Sequence, residues 1–367
     1  MRDSLEKIFL PFLEEGEITE ITRYGKGHIN DTYRVSVRME NGEEKRFILQ
    51  RINRSIFKDP VALMDNIVKV TEYLKECVEI AGGDVDKEVL QVLHTKEGAH
   101  HVLYEREFYR CYRFIEGARS YEIVGGPEDF FKSGQALGKF QKLLGEFDGQ
   151  TLHETIKDFH NTEKRFLDFQ HIVRENPVNR AAACAEEIGF FLEREKDTKI
   201  INGLLREGSL PVRVTHNDTK YNNVMIDDET REAVCLVDLD TVMPGVSLYD
   251  FGDAIRSGAT TAVEDEKDLS KVHFDLGLFE AYVNGYFSHG EFLTDLEIEY
   301  LPFAAKIMTF ECGMRFLKDY LEGDVYYKTS YPEHNLHRAR NQMKLVSDME
   351  RDYQQMIEII KKHRSGS

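Results

Sequence analysis

The first fifty residues alternate between apolar and polar positions in the manner of β-strands. Strand-like stretches read EITEITRYG, NDTYRVSVR and KRFILQ, and Asn41-Gly42 stands between the last two. Asn-Gly is a preferred two-residue connection in an antiparallel hairpin. Residues 17–50 are therefore predicted to form an antiparallel meander of three strands.

Helical spacing begins at Pro60. The stretch VALMDNIVKVTEYLKE repeats apolar residues three or four positions apart, and the strand-like stretches EVLQVLHT and HVLYEREFYRCYRFI follow it. A sheet covered by one helix predicts a small N-terminal lobe, residues 1–115. The boundary is expected near Phe114 to Gly117.

The rest of the chain has mainly helical patterning, first in FFKSGQALGKFQKLLGEF and again beyond about residue 260. Between them, VRVTHNDTKYNNVMIDDETREAVCLVDLDT predicts a strand, a polar loop and a hairpin. Residues 116–367 are thus expected to form a larger, mainly helical C-terminal lobe around one hairpin. The predicted fold class is α+β, bilobal and similar to protein kinases.

Charge excludes several classes of partner. Lys and Arg total 48 against 66 Asp and Glu, so the net charge is -18. Such a chain repels nucleic acid and anionic membrane surfaces. Five scattered cysteines without a C-x-x-C pair, together with the lack of a signal-like or membrane-spanning apolar run, predict a cytoplasmic protein. The expected partner is a small-molecule substrate, and the oligomeric state stays open.

The polar loop carries the pattern H-x-D-x-x-x-x-N in His216-Asn217-Asp218 and Asn223, and Asp238 follows behind the apolar CLV. Phosphoryl transfer needs a carboxylate that accepts the proton of the attacking hydroxyl and oxygen ligands for Mg²⁺. Asp218 is the predicted base, and Asn223 and Asp238 are the predicted metal ligands. Lys220 is the candidate for stabilising charge on the transferred phosphoryl.

Two polar segments, the loop of residues 216–223 and the turn of residues 25–30, also have simpler structural interpretations. Asn and Asp are common in ordinary turns, but the flanking strands and Asp238 favour catalysis. His216 is expected to pack and hydrogen-bond the loop. Gly25-x-Gly27-x-x-Asn30 lies between two strands, where it could be a plain hairpin turn. Its position ahead of FILQ matches the order of a kinase and favours a phosphate-covering turn.

Longer stretches go beyond the generic kinase pattern: YGKGHINDTY, FILQRINRSIF, VTHNDTKYNNVMID, VDLDTVMPG, YDFGDAIRSGA, EDEKDLSKVHF, ECGMRFLKDYLEGD and YPEHNL. With them the chain resembles the aminoglycoside phosphotransferase and choline kinase superfamily over nearly its whole length, and more closely the N-acetylhexosamine 1-kinases. The resemblance implies transfer of the γ-phosphoryl of ATP, with Mg²⁺, to the anomeric (C1) hydroxyl of GlcNAc or GalNAc.

The resemblance also implies contacts for the two substrates. The segment Tyr112, Arg113, Phe114 and Ile115 would meet adenine, and His28, Asp218, Arg315 and Tyr326 would contact the sugar. An arginine fork suits sugar oxygens and a tyrosine ring suits a pyranose, although a surface salt bridge and ordinary packing are the alternatives.

One position departs from the kinase pattern. The third strand places Gln50 where most kinases have a phosphate-binding lysine. Gln50 could donate a neutral hydrogen bond to phosphate, while Arg51 should point to the other face, so no Lys-Glu pair is expected. A similar Gln is a trait of the N-acetylhexosamine 1-kinases.

Other functions stay open. A homoserine, choline or aminoglycoside kinase would have the same phosphate machinery and differ at Arg315, Tyr326 and His28. A nucleotide-binding pseudokinase would explain the missing lysine, but the retained base and metal ligands oppose it.

Overall fold

The structure, a computed structural model, describes residues 2–25 and 29–364. The chain divides into two compact units. The first consists of Met1–Arg119, Thr151–Ile156 and Ile226–Met243, and the second of Ser120–Gln150, Lys157–Met225 and Pro244–Ser367. No helix among the described residues is both long enough and apolar enough to cross a membrane.

The strands are β1 (Glu17–Arg23), β2 (Asp31–Arg38), β3 (Glu44–Arg51), β4 (Val102–Tyr104), β5 (Glu107–Arg113), β6 (Ala118–Arg119), β7 (Arg213–Thr215), β8 (Val224–Asp227), β9 (Ala233–Leu236) and β10 (Met243–Gly245). The α-helices are α1 (Arg2–Phe9), α2 (Pro60–Ile80), α3 (Val85–Glu88), α4 (Pro127–Leu143), α5 (Thr162–Glu175), α6 (Ala185–Leu192), α7 (Ile200–Arg206), α8 (Ser247–Gly258), α9 (Leu276–Phe287), α10 (Asp295–Glu322), α11 (His334–Arg351) and α12 (Tyr353–Arg364). Short 3₁₀ helices cover Leu10–Phe12, Gly149–Thr151, Ala181–Cys184, Glu195–Lys199, Tyr221–Asn223, Leu239–Thr241, Leu269–Lys271 and Gly290–Phe292.

The first unit is built on a five-stranded sheet in the order β1-β2-β3-β5-β4. β1, β2 and β3 pair antiparallel in sequence, so the predicted meander is confirmed. Gly42 has a φ of +85° in the turn between β2 and β3, a conformation that glycine adopts without strain.

Helices α1 and α2 belong to the same unit. α1, which the apolar pattern did not predict, buries Leu5, Ile8 and Phe9 in a core that also contains Val35 and Leu49. α2 is the predicted helix. Asp59 caps its first turn by accepting the N–H groups of Val61 and Ala62, and the predicted face is fully buried, with Leu63, Met64, Ile67, Val70 and Leu74.

The stretch EVLQVLHT is not a regular strand. Among the described residues it makes a single bridge, between Val92 and Tyr112, and its first residue, Glu88, is the last residue of the short helix α3. The backbone N–H of Leu93 donates to the carbonyl oxygen of Cys111, and the backbone N–H of Arg113 donates to the carbonyl oxygen of Gln91. These two hydrogen bonds satisfy the edge of β5 that the three-residue strand β4 leaves uncovered, without forming a longer ladder.

The predicted hairpin of residues 224–236 is present as β8 and β9, which form a small sheet in the order β6-β8-β9. The strand before it, β7, pairs instead with β10. This arrangement leaves residues 216–223 as a loop between two different sheets.

The second unit is mainly helical, as predicted. Its longest helix, α10, begins in a capping box in which Thr294 and Glu297 satisfy each other's backbone N–H groups. α8 and α11 pack closely on α10: a Cβ on Gly252 would lie 2.4 Å from the carbonyl oxygen of Ala304, and one on Gly313 would lie 2.8 Å from Cβ of Gln342.

Glycines also set the distance between α4 and α9. A Cβ on Gly285 would lie 2.0 Å from the carbonyl oxygen of Phe131, and one on Gly134 would lie 2.3 Å from that of Tyr282. Real Cβ atoms do not approach a carbonyl oxygen so closely, so the two backbones touch only because these residues lack side chains.

We predict that Gly285→Ala lowers the free energy of unfolding by about 1–3 kcal/mol, because the added methyl group forces α4 and α9 apart. Urea denaturation of purified protein measures the loss. The control is Gly189→Ala in α6, where a Cβ has open space and alanine favours the helix. Equal effects of the two substitutions would refute the close-contact explanation.

Candidate active site

The loop between β7 and β8 is organised by the buried carboxylate of Asp250, in the first turn of α8. Its Oδ2 accepts the backbone N–H of His216 at 3.0 Å and the side-chain amide of Gln141 at 3.0 Å, and its Oδ1 accepts the N–H of Asn217 at 2.7 Å. The Thr219 hydroxyl donates to the Asp250 carbonyl oxygen at 2.5 Å. One residue thus fixes both the start and the middle of the loop.

Asp250 was missed as a functional residue by the sequence analysis, although its motif YDFGDAIRSGA was noted. The available signal was a carboxylate between two aromatic residues, Tyr249 and Phe251, at the start of a helix. His216 is fully buried, as expected, and its Nδ1 accepts the N–H of Asp218 at 3.3 Å.

Three of the predicted residues come together in this loop. The Asp218 carboxylate lies 3.0 Å from Nζ of Lys220 through Oδ1 and 3.1 Å from Nδ2 of Asn223 through Oδ2. Nδ2 of Asn223 also donates to the carbonyl oxygen of Asp218 at 2.8 Å. Both donor hydrogens of the Asn223 amide are therefore used, which leaves its Oδ1 as the atom available to a further ligand.

The electrostatics keep Asp218 ionised. Burial works to raise the pKa of Asp218, but the charge of Lys220 and its hydrogen bond outweigh this effect and hold the pKa below its usual value. The Asp218 carboxylate in turn raises the pKa of Lys220. The loop therefore presents an ionised carboxylate beside an ammonium at neutral pH.

A second set of charges borders the loop in the same unit. Nε2 of the buried His160 lies 3.3 Å from the carbonyl oxygen of Asn217, and its Nδ1 lies 2.9 Å from the Glu311 carboxylate. Thr162 donates to the other oxygen of Glu311 at 2.6 Å. Burial opposes ionisation of Glu311, but His160 and two nearby arginines lower its pKa to about 2. Both oxygens of this carboxylate are thus engaged.

Arg165 and Arg315 are those two arginines. Their guanidinium carbons lie 5.6 Å and 5.5 Å from the centroid of the Phe159 ring, and Arg315 also lies 5.9 Å from the ring of Tyr327. Burial, followed by the charge of Arg315, lowers the pKa of Arg165, although a guanidinium stays charged at any physiological pH. Among the described residues Arg315 makes no hydrogen bond or ion pair, and its ring contacts are with Phe159 and Tyr327.

Tyr326 lies near this arginine pair on a loop that Asp319 shapes. The buried Asp319 carboxylate accepts the backbone N–H groups of three consecutive residues, Val325, Tyr326 and Tyr327, at 2.8–3.0 Å. Tyr326 packs its edge on Tyr327 and stays 53% exposed. Its ring is therefore available to a ligand.

The remaining predicted residues belong to the first unit. Gln50 donates through Nε2 to Thr32 and accepts from Arg110 through Oε1, so both ends of its amide are engaged. As expected, Arg51 pairs elsewhere, with Asp31 and Glu107. Asp238 has a left-handed backbone, with a φ of +63°, immediately before the 3₁₀ turn Leu239–Thr241.

The predicted adenine segment runs off the end of β5. Tyr112 and Ile115 are buried, whereas Arg113 is exposed and pairs with Asp86. The N–H of Phe114 donates to the carbonyl of Arg46.

In the predicted phosphate-covering turn, Gly25 has a φ of +73°, and Asn30 donates to Asp240 at 2.6 Å. Gly27 and His28 lie outside the described residues.

An ionised aspartate on a loop between two strands, in a chain with an antiparallel sheet and a helical second unit, is typical of kinases that act on small molecules. The model of the phosphotransferase enzyme family matches residues 20–292, and the chain belongs to this family. The match makes it a phosphotransferase of the aminoglycoside phosphotransferase-like type.

Solved structures share the fold. A microcompartment-associated aminopropanol kinase is 15% identical, with a TM-score of 0.61 over 95% of this chain and 97% of its own. An aminoglycoside phosphotransferase from Alicyclobacillus acidocaldarius is 13% identical, with a TM-score of 0.61 over 96% of each chain. An amicoumacin kinase in complex with AMP-PNP and Ca²⁺ is 14% identical, with a TM-score of 0.58 over 94% of this chain and 92% of its own. The predicted α+β, protein-kinase-like fold is confirmed.

We predict that Asp250→Ala lowers the free energy of unfolding by at least about 3 kcal/mol, because three donors around the carboxylate lose their acceptor in a buried site. Urea denaturation measures the change. The control is Asp168→Ala in α5, where the exposed carboxylate pairs only with Lys164 and removal should cost less than about 0.5 kcal/mol. Similar costs for both variants would contradict the organising role of Asp250.

Proposed function

We propose that this protein transfers the γ-phosphoryl of ATP to the anomeric (C1) hydroxyl of an N-acetylhexosamine, GlcNAc or GalNAc. The observation that carries the proposal is the loop in which the Asp218 carboxylate lies 3.0 Å from the Lys220 ammonium and stays ionised. An ionised, ordered carboxylate is what an attacking hydroxyl needs as its proton acceptor.

Asp218 acts in this proposal as the general base. It orients the sugar hydroxyl and takes its proton as the oxygen attacks phosphorus. The anomeric hydroxyl is the most acidic on the ring, so a carboxylate base needs less driving force there than with an ordinary alcohol. Lys220 supplies positive charge for the equatorial oxygens of the transferred phosphoryl.

Mg²⁺ would be held by Asn223 and Asp238. Asn223 fits the role because both hydrogens of its amide are used within the loop, so that Oδ1 remains as a hard oxygen ligand. Asp238 is assigned by the sequence pattern alone. When bound, the ion would offset the negative charge of the triphosphate.

The nucleotide is assigned to the first unit. The turn of Gly25, Gly27 and Asn30 would cover the phosphates, and Tyr112, Arg113, Phe114 and Ile115 would border adenine. Gln50 belongs to the phosphate site through its amide, whose present partners are Thr32 and Arg110.

The charge of Arg315 favours a neutral acceptor over a cationic one. Arg165 lies 3.6 Å from the Glu311 carboxylate, whose oxygens also bind His160 and Thr162, so the unpaired positive charge there is that of Arg315. An ammonium group would be repelled there, whereas the unpaired N–H donors of Arg315 suit hydroxyl and carbonyl oxygens. The exposed Tyr326 ring supplies a flat apolar surface for a pyranose, and His28 completes the proposed set.

Kinases for amine-bearing acceptors are the competing proposal, since the structural neighbours include an aminopropanol kinase and an aminoglycoside phosphotransferase. The unpaired charge of Arg315 opposes this alternative. A pseudokinase is opposed by the ionised Asp218 and its ordered loop.

We predict that ADP release, measured across a panel of acceptors, is high with GlcNAc or GalNAc and absent with choline, homoserine and aminoglycosides. Phosphorus NMR should show a glycosyl phosphate, and the product should fail a reducing-sugar test, because phosphorylation at C1 removes the hemiacetal. Asp218→Asn, as the control, should abolish turnover while it still binds Mg-ATP. A reducing product would exclude the 1-kinase, and turnover of an amine-bearing acceptor alone would exclude the sugar kinase.

We also predict a pH effect of Lys220→Gln. Because the folded pKa of Asp218 is held down by Lys220, the wild-type base stays ionised until the pH falls well into the acid range. Without the ammonium, burial raises this pKa, so the acid limb of the kcat/KM profile moves to higher pH and kcat falls about 10²-fold. Lys199→Gln, an exposed lysine paired with Glu195, is the control and should leave the profile unchanged. An unshifted acid limb in Lys220→Gln would disprove the coupling.

A further inference from the structure

A polar row crosses the sheet of the first unit where a kinase would have its lysine. Thr32, Gln50 and Arg110 are register partners on β2, β3 and β5. Gln50 donates to Thr32 at 3.0 Å, and its Oε1 accepts both Nε and Nη2 of Arg110, at 3.0 Å and 2.9 Å. The neutral residue at the lysine position thus has a cation as its neighbour on the next strand.

Arg110 connects this row to the turn that follows β9. Its guanidinium forms an ion pair with the Asp240 carboxylate, and the two side chains are almost completely buried. Asn30 donates to the other oxygen of Asp240 at 2.6 Å, and the N–H of Asn53 donates to Asn30 at 3.0 Å. Asp240 lies two residues after Asp238, within the 3₁₀ turn Leu239–Thr241. The turn is therefore bound to β5 through Arg110 and to the residue before β2 through Asn30.

The local charges match this arrangement. Burial works to lower the pKa of Arg110, but Asp240, then Tyr112 and to a smaller extent Asp238 outweigh it and hold the pKa above its usual value. A buried ion pair is costly to break from one side, because the remaining charge has no partner. Nη1 of Arg110 is buried without a hydrogen-bond partner among the described residues.

We propose that Arg110, the cation next to the position of the absent strand lysine, is a positioning residue. Its ion pair with Asp240 and its fork to Gln50 hold the turn in the conformation that presents Asp238 to nucleotide-bound Mg²⁺. The inference rests on the proposed function, because it assumes that Asp238 is a metal ligand. It adds that the buried cation lies on β5 instead of β3, and that it acts by holding the turn that contains Asp238.

The test is calorimetric titration with AMP-PNP in the absence of any sugar, once with Mg²⁺ and once with EDTA. Arg110→Met should weaken binding of Mg-AMP-PNP about 10–100-fold and leave binding of metal-free AMP-PNP unchanged, since partners that orient a metal ligand typically have effects of this size. Arg110→Lys should recover part of the lost affinity, because lysine keeps the charge for Asp240 but not the fork to Gln50.

Two further variants protect the result. Arg110→Met leaves Asp240 buried without a counter-ion, so the double variant Arg110→Met/Asp240→Leu, which removes both charges, carries the test if the single variant fails to fold. The double variant should show the same loss that depends on Mg²⁺. The matched control is Arg51→Met on β3, which loses two half-exposed ion pairs and should bind like the wild type.

Two outcomes overturn the inference alone. Wild-type affinity for Mg-AMP-PNP in the double variant removes the positioning role. An equal loss with and without Mg²⁺ shows instead that Arg110 contacts phosphate directly, through its spare Nη1 donor. A wild-type protein that binds no nucleotide under either condition overturns the proposed function together with the inference.

Discussion

The loop that carries Asp218 depends on one buried carboxylate. Asp250 accepts two consecutive backbone N–H groups and a side-chain amide, and its own carbonyl oxygen accepts the Thr219 hydroxyl. A loop between two separate sheets has no ladder to satisfy its backbone, so a fixed acceptor must replace one. The geometry of Asp218, Lys220 and Asn223 follows from that anchoring.

Charge is distributed differently in the two units. In the second unit Lys220 neutralises the proposed base, and Arg165 lies 3.6 Å from the Glu311 carboxylate, so Arg315 is left as the unpaired cation of this group. In the first unit the buried cation Arg110 is committed to Asp240. The overall charge of -18 therefore says little about either environment, because a few buried cations set the local field.

Local patterns predicted what local physics determines. The β1–β3 meander follows from alternation with an Asn-Gly turn, and α2 from its apolar spacing after Pro60. EVLQVLHT has the same strand-like composition, but its pairing depends on how much of β5 the strand β4 leaves uncovered, which is tertiary information. The candidate catalytic loop was recognisable because its residues lie within eight positions of one another.

The partners that hold the candidate site were not predictable in this way. Asp250 and Gln141 are separated by 109 residues, and neither belongs to a recognisable motif that would link them. The burial of Arg110 could not be predicted, because an arginine in a strand is usually solvent-exposed, and its counter-ion Asp240 is far along the chain. Asp319 is similar, since its role depends on the three N–H groups of a turn beyond the helix end.

The first unit consists of segments that lie far apart in the sequence, and this has a consequence for biosynthesis. Its sheet is complete by Arg119, but Ile226–Met243, which supplies Asp240, emerges from the ribosome more than a hundred residues later. Until then Arg110 has no carboxylate from that segment, and a buried unpaired cation opposes compaction. The nascent sheet should therefore stay loosely packed through much of translation and consolidate late. A fragment that ends at Arg119 would lack the Asp240 carboxylate permanently, so we expect it to be less stable than the complete first unit.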